Sequence, residues 1–101
     1  MHITLSPVRG DAPLTLTRAG DTLTVNGTAF DFAPLPEGGT LPRTAVPGDW
    51  LGSDVTRQGG KLRLAIFLPH GARAPAETLF PEALTDPADG PVPLPPFALE
   101  D

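Results

Sequence analysis

The chain has 101 residues, a net charge of −5 and only seven lysines and arginines, so it offers one modest hydrophobic core and no basic patch for nucleic acid. It contains no cysteine, which excludes disulfides and thiolate metal sites, and no apolar run of the ~18 residues that a membrane span needs. Fourteen prolines and eleven glycines punctuate short apolar runs and favour turns over long helices. We expect a single antiparallel all-β domain over residues 1–90, a sandwich or a partly closed barrel.

The first half of the chain predicts a meander of short strands. Residues 2–5 alternate between polar and apolar side chains until Pro7 closes the run, and alternation returns at residues 14–17 and 22–25. Asn26 and Gly27 then give a strong hairpin signal, because a type I′ turn needs positive φ at both central residues. A second two-residue turn is predicted at Gly20 and Asp21 or one residue earlier. Both turns send the same apolar residues to one face: Leu14, Leu16, Leu23, Val25, Phe30 and Phe32.

Residues 33–49 predict an irregular loop, because closely spaced prolines and glycines leave no room for a regular element longer than a turn. A loop of this length without structure of its own is often functional or covers a sheet. We expect Leu35, Leu41 and Val46 to hold the loop against the core.

A second hairpin is predicted from residues 50–57 and 61–68, joined at Gly59 and Gly60. In this register Val55 lies opposite Leu64, and Leu51 lies opposite Leu68. The second strand then has an inward stripe of Leu62, Leu64, Ile66 and Leu68 and an outward set that includes Phe67, which indicates that the outer face is also partly covered.

The C-terminal part is harder to interpret. Residues 75–78 are compatible with a short helical turn, whereas residues 78–80 are equally compatible with an edge strand that Pro81 stops. Residues 83–85 form a segment too short to assign. Residues 91–101 predict a Pro-rich tail that is extended, polyproline-like or disordered at its end.

Few side chains are arranged for chemistry. His2, at a terminus expected to be mobile, and His70, in a loop, lack the neighbouring ligands of a metal site and are interpreted as solvated or bonded to backbone. Neither Ser6 nor Ser53 lies in a nucleophile motif, and the glycines form no phosphate-binding fingerprint. Four carboxylates near the C-terminus predict a solvated acidic tail: Asp86, Asp89, Glu100 and Asp101. We therefore expect no enzyme and no cofactor.

Recognition is the remaining role, with Trp50, Pro93 and Phe97 as candidate partner-binding residues. Trp50 is the only tryptophan, and single tryptophans mostly lie in a core or at its edge, although aromatic residues also concentrate at interface centres. The tail around Pro93 and Phe97 is either a strap along a sheet, a loose end, or a stiff peptide that docks another protein.

In the order of several short motifs, the sequence resembles a family of small uncharacterised proteins encoded in the tail-fibre region of tailed bacteriophages and prophages. Each motif alone consists of ordinary turn residues, and only the order of the motifs along the chain is distinctive. The family offers no catalytic or binding residues to transfer. The motifs lie at residues 4–9, 20–21, 26–27, 30–32, 35–38, 68–71 and 90–95.

The resemblance implies a structural or tail-assembly protein that acts through protein–protein contacts. The alternative is a small binding module on a tail tip, which recognises carbohydrate or peptide. Either protein is expected in the cytoplasm of the bacterial host or in the virion tail, with a phage tail or tail-fibre component as partner. A homo-oligomer is compatible with this context, and neither nucleic acid nor membrane is an expected partner.

Overall fold

In a computed structural model, which describes residues 1–10, 12–95 and 97, the chain folds into short strands that form two sheets. The described strands are β1 (His2–Arg9), β2 (Leu16–Ala19), β3 (Thr22–Val25), β4 (Thr28–Asp31), β5 (Thr40–Leu41), β6 (Val55–Gln58), β7 (Lys61–His70), β8 (Leu84–Thr85) and β9 (Gly90–Pro91). The large sheet has the order β5-β6-β7-β1-β8, and the small sheet has the order β4-β3-β2-β9. Buried apolar side chains of both sheets form one core, which confirms the expected all-β architecture.

The small sheet follows the register that its turns predict. Asn26 (φ 50°) and Gly27 (φ 86°) both adopt positive φ, and Leu23 pairs with Phe30 across the hairpin. On the other side of β3, Leu16 pairs with Val25. Because paired residues share a face, the apolar set points inward. Four of its members are buried and the other two, Leu14 and Phe30, are partly buried against the core, which confirms the predicted face.

The large sheet contains one pairing that the hairpin pattern did not predict. β1 runs parallel to β7, with Ile3 opposite Leu64 and Leu5 opposite Ile66, and strands β2 to β6 form the connection between them. Parallel neighbours need such a long crossover, so no short turn marks their pairing in the sequence. The inward stripe of β7 is buried as expected, and each such side chain contributes roughly 1.5–3 kcal/mol relative to exposure.

Two prolines, Pro7 in β1 and Pro69 in β7, lie inside the parallel ladder. The expectation that Pro7 ends the first strand is therefore wrong, and so is the expectation that the strand beginning at residue 61 ends at residue 68. Peptide groups two residues apart point the same way along a strand. In β1, the Met1 carbonyl accepts from the Asp86 amide on the side away from β7. Pro7 lies an even number of residues after Met1, so its nitrogen also points away from β7. In β7, the Phe67 amide donates to the Trp50 carbonyl on the side away from β1, and the nitrogen of Pro69, two residues further on, points the same way. Neither missing N–H therefore removes a bond between β1 and β7.

The strand predicted over residues 50–57 is interrupted. Thr56 pairs with Arg63 as predicted, but Leu51 lies opposite Ile66 rather than Leu68, because residues 52–54 bulge out of the ladder. The Ser53 hydroxyl accepts from the Ala65 amide at 2.8 Å and so replaces the missing backbone partner. The error in register is two residues, so Leu51 keeps its predicted face and is buried.

The loop over residues 33–49 contains β5 and a 3₁₀ turn (Arg43–Ala45), whose Arg43 amide donates to the Asp54 carboxylate at 2.9 Å. Val46 is buried and both Leu35 and Leu41 pack against the core, as predicted.

The chain start is tied down, so the expectation of a mobile terminus at His2 is wrong. Met1 is 4% exposed, and its ammonium donates to the Asp86 carboxylate at 2.7 Å. Lys61 Nζ donates to the other oxygen of Asp86 at 2.6 Å. These two cations lower the pKa of Asp86 from 3.8 to about 2, with the Lys61 hydrogen bond as the larger cause.

Asp86 and Asp89 are exposed, as expected of solvated carboxylates, but both are also bonded, since the Asp89 carboxylate accepts from the Gly20 amide at 3.0 Å. Glu100 and Asp101 lie outside the described residues. The Asp86 and Asp89 carboxylates thus fasten the C-terminal segment to earlier parts of the chain.

Residues 76–79 form a helical turn, α1 (Ala76–Leu79), rather than an edge strand. Within the described residues no helix has the length and apolar character to cross a membrane. β8 pairs with the start of β1, and β9 pairs with β2. Val92 is buried beyond β9, so the first residues of the Pro-rich segment lie against the small sheet; the division of the chain at residues 90 and 91 stays a prediction.

Candidate functional site

One end of the sandwich holds a cavity of about 530 Å³, which we call the mouth pocket. The ends of β1 and β7, the turn between β3 and β4 and the loop before Leu51 all contribute to it. Clefts between packed elements and the mouths of barrels are common places for binding sites. The apolar part of its lining consists of Val8, Leu14, Val25, Phe30, Trp50, Phe67 and Pro69.

Trp50 is the central aromatic residue of the mouth pocket. Its ring centroid lies 4.8 Å from that of Phe30 and 6.5 Å from that of Phe32, both tilted. The indole N–H donates to the Pro47 carbonyl at 3.2 Å, so the polar atom of the ring is satisfied inside the loop. At 8% exposure, Trp50 lies at the core edge, which agrees with the more conservative of the two interpretations from sequence.

Gly48 explains how the loop brings Trp50 to this position. Its φ is +92°, and a Cβ there would lie 3.0 Å from Trp50 Cδ1. A side chain would therefore be strained by the backbone and crowded by the indole ring. The sequence of Pro47, Gly48, Asp49 and Trp50 thus forms a tight bend that turns the indole into the pocket.

The polar groups of the mouth pocket lie among its exposed residues. Arg9 and Asp49 are both exposed, and neither side chain makes a hydrogen bond or an ion pair with another described residue. The Asn26 carboxamide oxygen is already occupied by the Thr15 amide at 3.0 Å. The pocket thus combines an apolar interior with one cation and one anion that are available to a partner.

The described residues that line the pocket include no serine and no histidine, so the Thr28 hydroxyl has no imidazole base beside it in this part of the chain. His70 lies at the end of β7, where its Nδ1 donates to the Gly71 carbonyl at 3.0 Å, as the backbone-bonded interpretation expects. Among the described residues no three histidines or carboxylates come together in a way that could hold a metal ion.

The structure brings two of the three predicted partner residues to neighbouring depressions. Phe97 is half-buried, its carbonyl accepts from the Gly71 amide at 2.9 Å, and it lines a second depression that shares Arg9 and Gly10 with the mouth pocket of Trp50. Pro93 is exposed and lines neither depression.

The sequence did not predict that Val8, Arg9 and Pro69 would join this site. Their contribution depends on the parallel pairing of β1 with β7, which aligns Val8 with Pro69 and Arg9 with His70 at one end of the sheet. No local pattern signals that pairing, because the two strands are far apart in the chain.

Comparison of the chain with models of protein families, with curated proteins and with solved structures finds no match.

Proposed function

We propose that this protein is a non-enzymatic structural or assembly component of a bacteriophage or prophage tail, and that it contacts a tail or tail-fibre protein through the mouth pocket. The protein is made in the cytoplasm of the bacterial host, and it either acts there during assembly or enters the virion. The resemblance in the order of the turn motifs supports the phage context, and the geometry of the mouth pocket supports the choice of contact site.

The observation that carries the proposal is the apolar cavity of about 530 Å³ around Trp50 and Phe30. Protein interfaces concentrate their binding energy in a few aromatic and arginine residues within a pocket that excludes water. Trp50 is already held by Phe30 and by the Pro47 carbonyl, so little side-chain freedom is lost when a partner binds. Arg9 and Asp49 then supply charge pairs that orient the partner.

A carbohydrate-binding module is the second candidate, because Trp50, Phe30 and Phe67 share the pocket with Asn26 and the charged residues. Such modules stack sugar rings on exposed aromatic faces. The geometry favours a protein partner, since Trp50 is 8% exposed and its indole N–H already donates to Pro47.

A pair of matched substitutions tests the proposal. Thr28 is exposed and lines the mouth pocket, whereas Thr40 is exposed in β5, outside that pocket. In a pull-down from phage-producing cells, we expect the unaltered protein and Thr40→Lys to recover the same tail or tail-fibre protein and Thr28→Lys to lose it. Equal recovery by both variants would place the contact elsewhere, and recovery of no tail protein by the unaltered chain would contradict the proposed function. Binding of oligosaccharides in place of protein would favour the second candidate.

A further inference from the structure

A second apolar surface lies at the edge of the large sheet, around Phe80. Phe80 is 81% exposed, the largest value among the exposed large hydrophobic residues of the described chain, and Leu79 beside it is 38% exposed. Phe80 borders a cavity of about 460 Å³, whose other apolar lining includes Leu5, Leu84 and Pro95. We call this region the Phe80 groove; it shares no lining residue with the mouth pocket.

The backbone holds Phe80 in this exposed position. Its amide donates to the Ala76 carbonyl at 2.8 Å at the end of α1, and Pro81 prevents the helix from continuing. Thr78 turns the buried side of α1 to the protein, with 0% exposure. An ordered turn therefore displays the ring next to the partly exposed Leu79 and the apolar lining of the cavity, and contiguous exposed apolar surface, unlike a single exposed side chain, is typical of a docking surface.

The charge of the groove identifies the kind of partner. Glu77 and Glu82 both line it, and neither makes a hydrogen bond or an ion pair with another described residue. Among the described residues, no lysine, arginine or histidine belongs to the lining. A second copy of the chain is a poor occupant, because a two-fold contact would bring these glutamates together between two molecules that each carry a net charge of −5.

We propose that the Phe80 groove binds a cationic segment of another protein, in which an apolar side chain packs on Phe80 while flanking lysine or arginine residues pair with Glu77 and Glu82. This surface is separate from the mouth pocket, so the two together would allow the protein to bridge two partners.

A defined peptide tests this inference in the full chain. The probe has blocked ends and three lysines that alternate with two leucines, and the control peptide carries glutamates in place of the lysines. We expect fluorescence anisotropy to show binding of the lysine peptide alone, with affinity that falls between roughly 10 mM and roughly 150 mM ionic strength as the charges are screened.

Three variants localise the binding. Phe80→Ser should weaken it at least about tenfold, because a central aromatic contact is lost. Glu82→Gln should weaken it roughly two- to fivefold, as expected for an exposed ion pair. Asp89→Asn is the matched control, since it also removes one negative charge but keeps the oxygen that accepts from Gly20.

Thermal unfolding checks that all three variants stay folded. Equal binding of both peptides, equal effects of Glu82→Gln and Asp89→Asn, or full affinity in Phe80→Ser would overturn the inference. A dimer in gel filtration that Phe80→Ser separates would instead assign the groove to a second copy of the chain.

Discussion

The mouth pocket and the Phe80 groove both present apolar surface, but they are built differently. The mouth pocket has walls from both sheets and from the loop before Leu51, and its central aromatic residue is 8% exposed. The Phe80 groove lies along one edge of the large sheet, and its aromatic residue is 81% exposed. Trp50 therefore stabilises the fold as well as any contact that it makes, whereas Phe80 is free to serve binding alone. Stability and binding are coupled in the first region and separable in the second.

The largest expected change in stability comes from truncation of Trp50, and truncation of Phe80 is its comparison. Trp50→Ala removes a ring that packs on Phe30 and Phe32, and we expect it to lower the free energy of unfolding by about 3–5 kcal/mol. Phe80→Ala should change it by less than about 0.5 kcal/mol, because the ring is mostly in water. Urea unfolding followed by circular dichroism measures both. Similar losses in the two variants would remove the distinction between the regions.

A smaller effect is expected at Arg57, which connects the sheets whose ends form the mouth pocket. Its guanidinium group donates to Leu35 O at 2.6 Å, to Asp21 Oδ2 at 3.0 Å and to Phe32 O at 3.1 Å. Arg57→Gln should lower the free energy of unfolding by about 2 kcal/mol, since charged hydrogen bonds are lost in a partly buried site. It should also shift the Trp50 fluorescence maximum, which reports on the mouth pocket.

The matched control for Arg57 is Arg63→Gln. The Arg63 side chain is exposed and makes no hydrogen bond or ion pair with another described residue, so its substitution should leave stability within about 0.5 kcal/mol. Equal losses from the two variants would show that removal of a positive charge, rather than the link between the sheets, is responsible.

The smallest expected effect is a pH dependence on the side of the Phe80 groove, where Asp86 follows β8. The pKa of Asp86 is lowered from 3.8 to about 2, so its ion pairs stabilise the folded state fully above pH 3.8, and this stabilisation is lost as the pH falls toward 2. In Asp86→Asn, stability should fall less steeply over this interval than in the unaltered chain. Parallel acid-unfolding profiles of the two proteins would contradict the assignment.

The two sheets differ in how far the sequence predicted their strand pairing. The small sheet was predicted in register, because Asn26 and Gly27 specify a turn and the alternation on each side specifies the face. The parallel pair of β1 and β7 was not predicted, because its partners are brought together by a long crossover and not by a turn. Proline misled the interpretation twice, at Pro7 and Pro69, because a missing N–H is harmless where it points away from the neighbouring strand.

For the candidate sites, the sequence identified Trp50 as a core-edge aromatic but not its neighbours from β1 and β7. It left open whether residues 78–80 form a strand or continue a helical turn, and only the turn displays Phe80. Asp86 was interpreted as a solvated carboxylate because its two partners, Met1 and Lys61, lie far from it in the chain. The neighbours of Trp50 and the partners of Asp86 are contacts between distant segments, which local patterns do not encode.

Photo-crosslinking tests the central claim, that the mouth pocket contacts a tail protein, most directly. Benzoylphenylalanine would replace Thr28, which lines the pocket, or Thr40 in β5, and the variants would be irradiated in phage-producing cells. We expect position 28 to form a covalent adduct with a tail or tail-fibre protein and position 40 to form none. Absence of an adduct at position 28, or the same adduct in equal yield from both positions, would contradict the proposed contact.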